Sequence, residues 1–498
     1  MLDRRSFLVS AAAGLAVGSA KGDVRKALSD PGPLRMKLGV VSDIHVDVKG
    51  GYAHQGWEKA LRAFDEWKAD GVLLCGDMAD FGLDIQLQWV ADSWFKVFRG
   101  GRRSDGQPVA NLLHYGDHDT SGTDYNWCPE CVKLFPEEAE RVRHIIARND
   151  RKAIWEKCFH EEWAPIVRKT VKGYDFILSH FTRGEPGNPR GNNVPGLEGF
   201  LARAKLDPNR PFFYSQHRIP RNTAGGPYVW GQDDGQTTRL FTEKYPNCFC
   251  FCGHDHLCSS EEQAIWQGGF TAVQVPSLLY CSSLAGRENS YGENDRPYRK
   301  PYFAMDSYPA GLSRHGYFVS IHERAVVIRR WSFFDNGPVG PDWTVPLPFS
   351  SGRPYAPAYR AEHEPAPEFP SDAQISFELV DGKDRGKEEH EFLEVRFPLA
   401  VATDTTPRAN DYEVQLELRR DDVVRIIDQR RVFSSNYGRS LAKDTAPVVC
   451  RFPTDAIPRE QQVRFVARPL TSFGRAGRAI ASPFTTYPFK GVQKRKKA

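Results

Sequence analysis

Five short apolar runs, each ending in aspartate or histidine, set the strongest constraint on how this chain folds. They are "MKLGVVSDIH", ending in Asp43-Ile44-His45; "DGVLLCGD", ending in Gly76-Asp77; "VANLLHYGDHD", ending in Gly116-Asp117-His118-Asp119; "RPFFYSQH", ending in His217; and "NCFCFCGHDH", ending in Gly253-His254-Asp255-His256. Apolar runs of this length, closed by polar and turn-forming residues, read as buried strands. Helix-like stretches lie between them, at 57–69, where Trp57, Leu61, Phe64 and Trp67 are spaced for one face, and near 84–98. Strands alternating with helices argue an α/β fold, in which functional residues collect at the C-terminal ends of the strands. A single histidine at a strand end is ordinarily a hydrogen-bonded polar residue. Five such ends in order, all carrying carboxylate or imidazole, argue one shared site. Further strands are predicted at "YDFILSH", "FTAVQVPS" and "GYFVSIHERAVVIRRWSF".

Oxygen and imidazole donors without thiolate suit a pair of metal ions such as Fe, Mn or Zn. Two ions roughly 3.5–4 Å apart clamp a phosphate oxygen and generate a nucleophile at neutral pH. That arrangement needs a carboxylate that faces both ions, with enough donors on either side.

The ordered blocks D-x-H, G-D, G-D-H-D, H and G-H-D-H resemble those of the calcineurin-like metallophosphoesterase family, whose pattern is D-x-H, G-D, G-N-H-[DE], H, G-H-x-H. The resemblance spans residues 36 to 348. It implies an α/β catalytic domain of two mixed β-sheets packed face to face and flanked by helices, with a dimetal site at the strand ends. By position, it implies that Asp43, His45 and His256 hold one ion, that Asp77 bridges, and that Asp117, His217 and His254 hold the other. His118 would stand near the leaving oxygen as general acid or electrostatic stabiliser, with Asp119 orienting it. The fourth-block histidine is His217 or His180, since "FILSHF" also ends a strand; His217 lies nearer Gly253 and is followed by Pro220. Asp80 stands where purple acid phosphatases carry a tyrosine ligand, which sets this chain apart from that subgroup.

The third block departs from the family pattern, with Asp117 in the place of asparagine. Three carboxylates instead of two then face the ions, so the site carries roughly one unit less positive charge. That difference would favour singly charged diesters over doubly charged monoesters. A merely tolerated aspartate and a weakened site are the other readings. Arg183, Arg218, Arg221 and Arg287 lie in loops beside these blocks, and Arg218 is the candidate phosphate contact.

The chain has 498 residues, too many for one core. The catalytic domain is expected over 34–349, followed by a Pro-rich linker or packing arm at 350–373. Period-two segments such as "FLEVRFPL", "YEVQLEL" and "QVRFVARPL" predict an all-β sandwich over 374–489, and a basic tail closes the chain at 490–498. The net charge of +4, from 67 basic and 63 acidic residues, gives no reason to expect a nucleic-acid partner. "MLDRRSFLVSAAAGLAVGSA", residues 1–20, resembles a bacterial twin-arginine signal and implies export to the periplasm or beyond. Its apolar run is shorter than the ~20 residues a spanning helix needs, so no membrane span is expected in the mature protein.

Ten cysteines are too few for a disulfide scaffold. Cys248, Cys250 and Cys252 alternate along one strand face and read as small buried hydrophobes. Cys128, Cys131, Cys158 and His160 are compatible with a structural zinc, a disulfide or unlinked thiols. The expected activity is that of an exported dimetal phosphoesterase acting on a small-molecule phosphomonoester or phosphodiester. A non-catalytic surface-binding protein on the same scaffold is the alternative, and the sequence gives no oligomeric state.

Overall fold

The computed structural model describes residues 29–47, 52–120, 150–182, 191–227, 229–284, 287–288, 313–383, 389–403, 406–488 and 494–495. The signal-like segment, Cys128, Cys131 and Arg183 lie outside the described residues. The strands of the N-terminal unit are β1 (Leu34–Val41), β2 (Gly71–Cys75), β3 (Ala110–His114), β4 (Ile166–Val171), β5 (Tyr174–Ser179), β6 (Phe212–Ser215), β7 (Cys248–Cys252), β8 (Ile265–Gln267), β9 (Thr271–Gln274), β10 (His315–His322), β11 (Ala325–Ser332), β12 (Gly337–Pro338) and β13 (Trp343–Pro346). They form two mixed sheets, as the resemblance implies. One runs β12-β11-β10-β1-β2-β3, with β13 paired to β11; the other runs β4-β5-β6-β7-β9-β8.

Period-two alternation decides which side chains meet which layer. In β1 and β2, Met36, Leu38, Val40, Leu73 and Cys75 face the second sheet, whereas Val41, Val72 and Leu74 face the helices. In β7, Phe249 and Phe251 enter the core between the sheets. Cys248 and Cys250 turn the opposite way, toward the helices, and all three β7 cysteines are buried free thiols, as their spacing predicts. The helix Tyr52–Glu66 begins earlier than the hydrophobic spacing suggests and ends just before Trp67. With the helix Asp84–Val97 it covers the first sheet through Trp57, Leu61, Phe64, Leu87, Val90 and Trp94. Helices Leu197–Ala204 and Gln236–Lys244 cover the second.

Beyond residue 374 the period-two segments form β14 (Ser376–Lys383), β15 (Glu389–Phe397), β16 (Asp411–Arg420), β17 (Val423–Val432), β18 (Val448–Pro453) and β19 (Gln462–Leu470). A sheet containing β18-β15-β14 and one containing β17-β16-β19 enclose a single core that includes Leu393, Val395, Tyr412, Val414, Phe452 and Phe465. This β-rich unit is consistent with the expected sandwich. Lys494–Arg495, in the basic tail, pair in parallel with Leu379–Val380. No helix among the described residues is long and apolar enough to cross a membrane.

The Pro-rich segment is a packing arm with a helix of its own, Pro357–His363, which opens with proline at its first position. Its Arg360 is buried and donates from Nη2 to Glu262 Oε2 at 2.6 Å and from Nη1 to the Glu262 carbonyl at 2.8 Å. Glu262 also meets Arg330 Nη1 at 2.6 Å and accepts from Trp343 Nε1 at 3.0 Å. Burial would raise the Glu262 carboxyl, but the two guanidinium groups outweigh it and hold it at about 2. Glu262→Ala leaves the buried Arg330 without its carboxylate and Arg360 with Glu364 alone (2.7 Å), and is expected to cost about 3–5 kcal/mol, measured by denaturant unfolding at neutral pH. Because the folded pKa is depressed, this stabilisation is present above the ordinary glutamate range and fades as pH falls toward about 2. Stability of the wild type should therefore drop more steeply across that acidic window than stability of Glu262→Ala.

Candidate metal centre

Every block ends where its strand leaves the sheet, and the backbone there is unusual. Asp43, His45, Asp77, His254 and His256 all have positive φ, between 49° and 84°. L-residues with a Cβ avoid this region, and departures of this kind cluster at functional sites. The tight corners turn the side chains back toward one another. The chain approaches itself so closely that a Cβ on Gly116 would strike the Asp77 carboxylate and amide, and one on Gly253 would strike the Ser42 hydroxyl and the Asp43 carboxylate. The glycines of the motifs are therefore demanded by close approach.

Two groups of donors result. In the first, His256 Nε2 lies 3.2 Å from Asp43 Oδ1 and 3.1 Å from His45 Nε2. In the second, His217 Nε2 lies 3.1 Å from His254 Nδ1, 3.2 Å from Asp117 Oδ1 and 3.1 Å from Asp77 Oδ2. The same Asp77 oxygen is 3.6 Å from His45 Nε2, so it faces both groups. A metal with bonds of about 2.0–2.2 Å has ligand–ligand edges of about 3.0–3.5 Å, which is the spacing found here. Facing ring nitrogens at 3.1 Å hold at most one proton between them, so at each pair one nitrogen offers a lone pair. The donor set thus fits a pair of oxygen- and imidazole-liganded ions.

The surroundings aim these donors. His217 donates from Nδ1 to the Cys75 carbonyl at 2.7 Å, which turns Nε2 inward. His45 Nδ1 meets Asp80 Oδ1 at 3.3 Å, with the same effect on its Nε2. The His254 ring stacks on Trp230 at 4.5 Å, and the His256 ring packs against Tyr280 at 4.4 Å. Sequence reasoning missed Trp230 and Tyr280 and gave Asp80 no positioning role. Asp80, three residues after Asp77 in "GDMAD", had a signal in its spacing; the two aromatics had none.

Electrostatics describe the same demand for cations. Burial alone would lower the His45 imidazole, yet Asp80, Asp77 and Asp43 raise it to about 9. His217 is raised well above its ordinary range, against burial, by Asp77 and Asp117. Burial would raise Asp43 and Asp117, but the histidines hold both far below the usual carboxylate range. His256 goes the other way, lowered because burial outweighs Asp43. The clustered carboxylates therefore draw protons onto His45 and His217, and a cation entering the site displaces them.

Of the two fourth-block candidates, His217 joins the second donor group and His180 does not. His180 instead accepts the Tyr115 amide at Nδ1 (3.1 Å) inside a cage of Tyr115, Trp155 and Trp163, and burial keeps its imidazole well below the usual range. The expected role of Asp119 is corrected. Its carboxylate accepts the backbone amides of Met78 (3.2 Å), Ala79 (2.8 Å) and Gly116 (2.8 Å), so it clamps the second block to the third and does not orient His118. Burial and then Asp77 raise its carboxyl to about 7. His118 is held by Asp80, donating from Nδ1 to that residue's carbonyl at 2.8 Å. Its side chain is 31% exposed, as is that of Asp80, whereas the donor residues are more enclosed.

Among the arginines, Arg218 reaches the centre. Its Nη2 lies 3.7 Å from Asp117 Oδ2 and its Nη1 donates to Asn192 Oδ1 at 2.5 Å, with the guanidinium over the Phe181 ring. Arg287 is instead paired with Asp411 of the β-rich unit. Cys158 is a buried free thiol that donates to Gln88 Oε1 at 3.6 Å.

The sequence pattern of the family described as calcineurin-like phosphoesterase matches residues 36–258. No curated protein matches the chain. Similar solved structures include a dimetal phosphatase from Danio rerio, 10% identical over 63% of this chain and 99% of that one, with a TM-score of 0.36. GAP50, the anchor in the inner membrane complex of Plasmodium, is 9% identical over 63% of this chain and 89% of its own, with a TM-score of 0.37. A purple acid phosphatase from yellow lupin (Lupinus luteus) seeds is 12% identical over 62% of this chain and 53% of its own, with a TM-score of 0.32. With the five blocks converging on two donor groups, residues 36–258 are a calcineurin-like metallophosphoesterase domain.

Proposed function

We propose that this chain is an exported two-metal phosphoesterase hydrolysing a small phosphomonoester or phosphodiester. The observation that carries the reading is Asp77, whose Oδ2 faces His45 on one side and His217 on the other. In this reading Asp43, His45 and His256 would hold one ion, Asp117, His217 and His254 would hold the other, and Asp77 would face both. Fe, Mn and Zn all suit such donors. Bound there, the pair of ions supplies Lewis acidity toward a phosphoryl oxygen and a water acidified to near neutral pH.

His118 stands beside the first group, its ring edge-on to His45 at 4.6 Å. With Nδ1–H fixed on the Asp80 carbonyl, Nε2 is the nitrogen that carries a proton to the departing oxygen as the ester P–O bond breaks. The function is tested with purified, metal-reconstituted protein on p-nitrophenyl phosphate and bis-p-nitrophenyl phosphate. Chelation should abolish turnover, and His118→Ala should lower kcat by roughly 10²–10⁴-fold while leaving metal content unchanged. Metal-loaded, folded protein without turnover on either ester would sink the proposal. Export is supported by the Arg4-Arg5 pair ahead of a short apolar run. Lysine at both positions should retain the protein in the cytoplasmic fraction.

The charge argument for Asp117 takes a new form. Arg218 lies against the extra carboxylate and offsets much of it, but it is thereby engaged away from substrate. Asp117→Asn removes one negative charge and releases the guanidinium, and both changes help a dianionic monoester more than a monoanionic diester. The ratio of monoester to diester kcat/KM should rise, roughly tenfold for about 1.4 kcal/mol of added attraction. An unchanged ratio would show that the charge at residue 117 does not select substrate.

A further inference from the structure

Two residues past His256 the chain enters a second cluster that the phosphoesterase reading does not use. Cys258, Cys281 and His315 are buried, and each offers a donor atom within 4.8 Å of the others. They come from three separate segments. Cys258 follows the fifth block, and its amide bonds the Ser282 carbonyl at 2.9 Å. Cys281 lies in the segment after β9, and His315 opens β10. None of the three belongs to the dimetal donor groups.

The histidine is preset as a ligand. Its Nε2 donates to the Gly438 carbonyl at 3.0 Å, so the proton sits on Nε2 and the Nδ1 lone pair points into the cluster. Carbonyl-held histidines of this kind are common behind metal sites. Nδ1 is 3.6 Å from Cys258 Sγ and 2.9 Å from the Ser259 hydroxyl. With Zn–S about 2.3 Å and Zn–N about 2.0–2.1 Å, a tetrahedral S–Zn–N edge is about 3.5 Å, close to the spacing found. Two sulfurs and one imidazole make a three-donor set suited to a thiophilic ion.

We propose that Cys258, Cys281 and His315 form a second, structural metal site for a thiophilic zinc-type ion. Binding replaces two S–H bonds by two S–metal bonds and releases two protons to solvent. The Cys281 thiol gives up its hydrogen bond to the Ser313 carbonyl (2.9 Å) in the exchange. The ion staples the loop that carries His256 to two other segments. Against this loop packs Tyr437 of the β-rich unit, whose carbonyl accepts the Ser260 hydroxyl at 2.6 Å.

Cobalt(II) distinguishes this site from the dimetal centre, because only thiolate ligands give a sulfur-to-cobalt charge-transfer band. The full chain, purified under reducing conditions and loaded with cobalt(II), should show such a band. Cys258→Ser and Cys281→Ser should each lose it, while Asp77→Asn should keep it. X-ray absorption on the zinc-loaded wild type needs no variant and should find sulfur neighbours at about 2.3 Å. Absence of both signals in folded wild type overturns the proposal, as does a Cys258–Cys281 disulfide found by peptide mapping of protein purified without reductant. Either result leaves the phosphoesterase reading untouched, since activity depends on the other donor groups.

Discussion

Everything where the strand ends of the two sheets meet depends on one electrostatic imbalance. Asp43, Asp77 and Asp117 converge within hydrogen-bonding distance of inward-facing imidazole nitrogens, with almost no water to screen them. Charges crowded this way are tolerable only with positive charge between them. Protons on His45 and His217 meet that need partly, and metal ions would meet it fully. Arg218 repeats the logic at the rim, where it lies against the carboxylate that departs from the family pattern. The chain therefore adjusts charge locally instead of accepting a more negative centre.

Much of this was legible in the sequence because two periodicities coincide. Apolar runs specify strands, and the chemistry falls at their ends, so Asp43, His45, Asp77 and Asp117 leave the strands of one sheet and His217, His254 and His256 those of the other, and the packing of the two sheets brings them together. The β7 cysteines were readable for the same reason, since alternation in a strand fixes which side chains share a face. What depends on contact between loops was not legible. Nothing in the spacing of "GDHD" tells whether Asp119 faces a neighbouring histidine or three backbone amides; tertiary approach of the second block decides it. The choice between His180 and His217 likewise rests on an aromatic cage assembled from residues 115, 155 and 163. The helix at Pro357–His363 was hidden because prolines dominate its surroundings, although proline is well suited to a first helical turn.

The β-rich unit is tied to the two N-terminal sheets by polar contacts. Arg408 donates to the Val339 carbonyl at 2.8 Å, and Arg439 pairs with Asp335 at 2.6 Å. Tyr437 is buried against the loop just after the last metal-type histidine. These contacts give the second unit a physical hold on the segment that positions His256, whatever further task its outer surface performs.

The left-handed backbones of the donor residues carry a cost that comparisons of active and inactive variants would expose. Each such conformation in a residue with a Cβ is unfavourable by about 1–3 kcal/mol, and five of the seven donors adopt one. Glycine would relieve that strain while deleting the ligand. Fitness for folding and fitness for chemistry therefore pull in opposite directions at the same codons. A substitution that removes one of these side chains therefore gives the fold back part of what the donor geometry costs it.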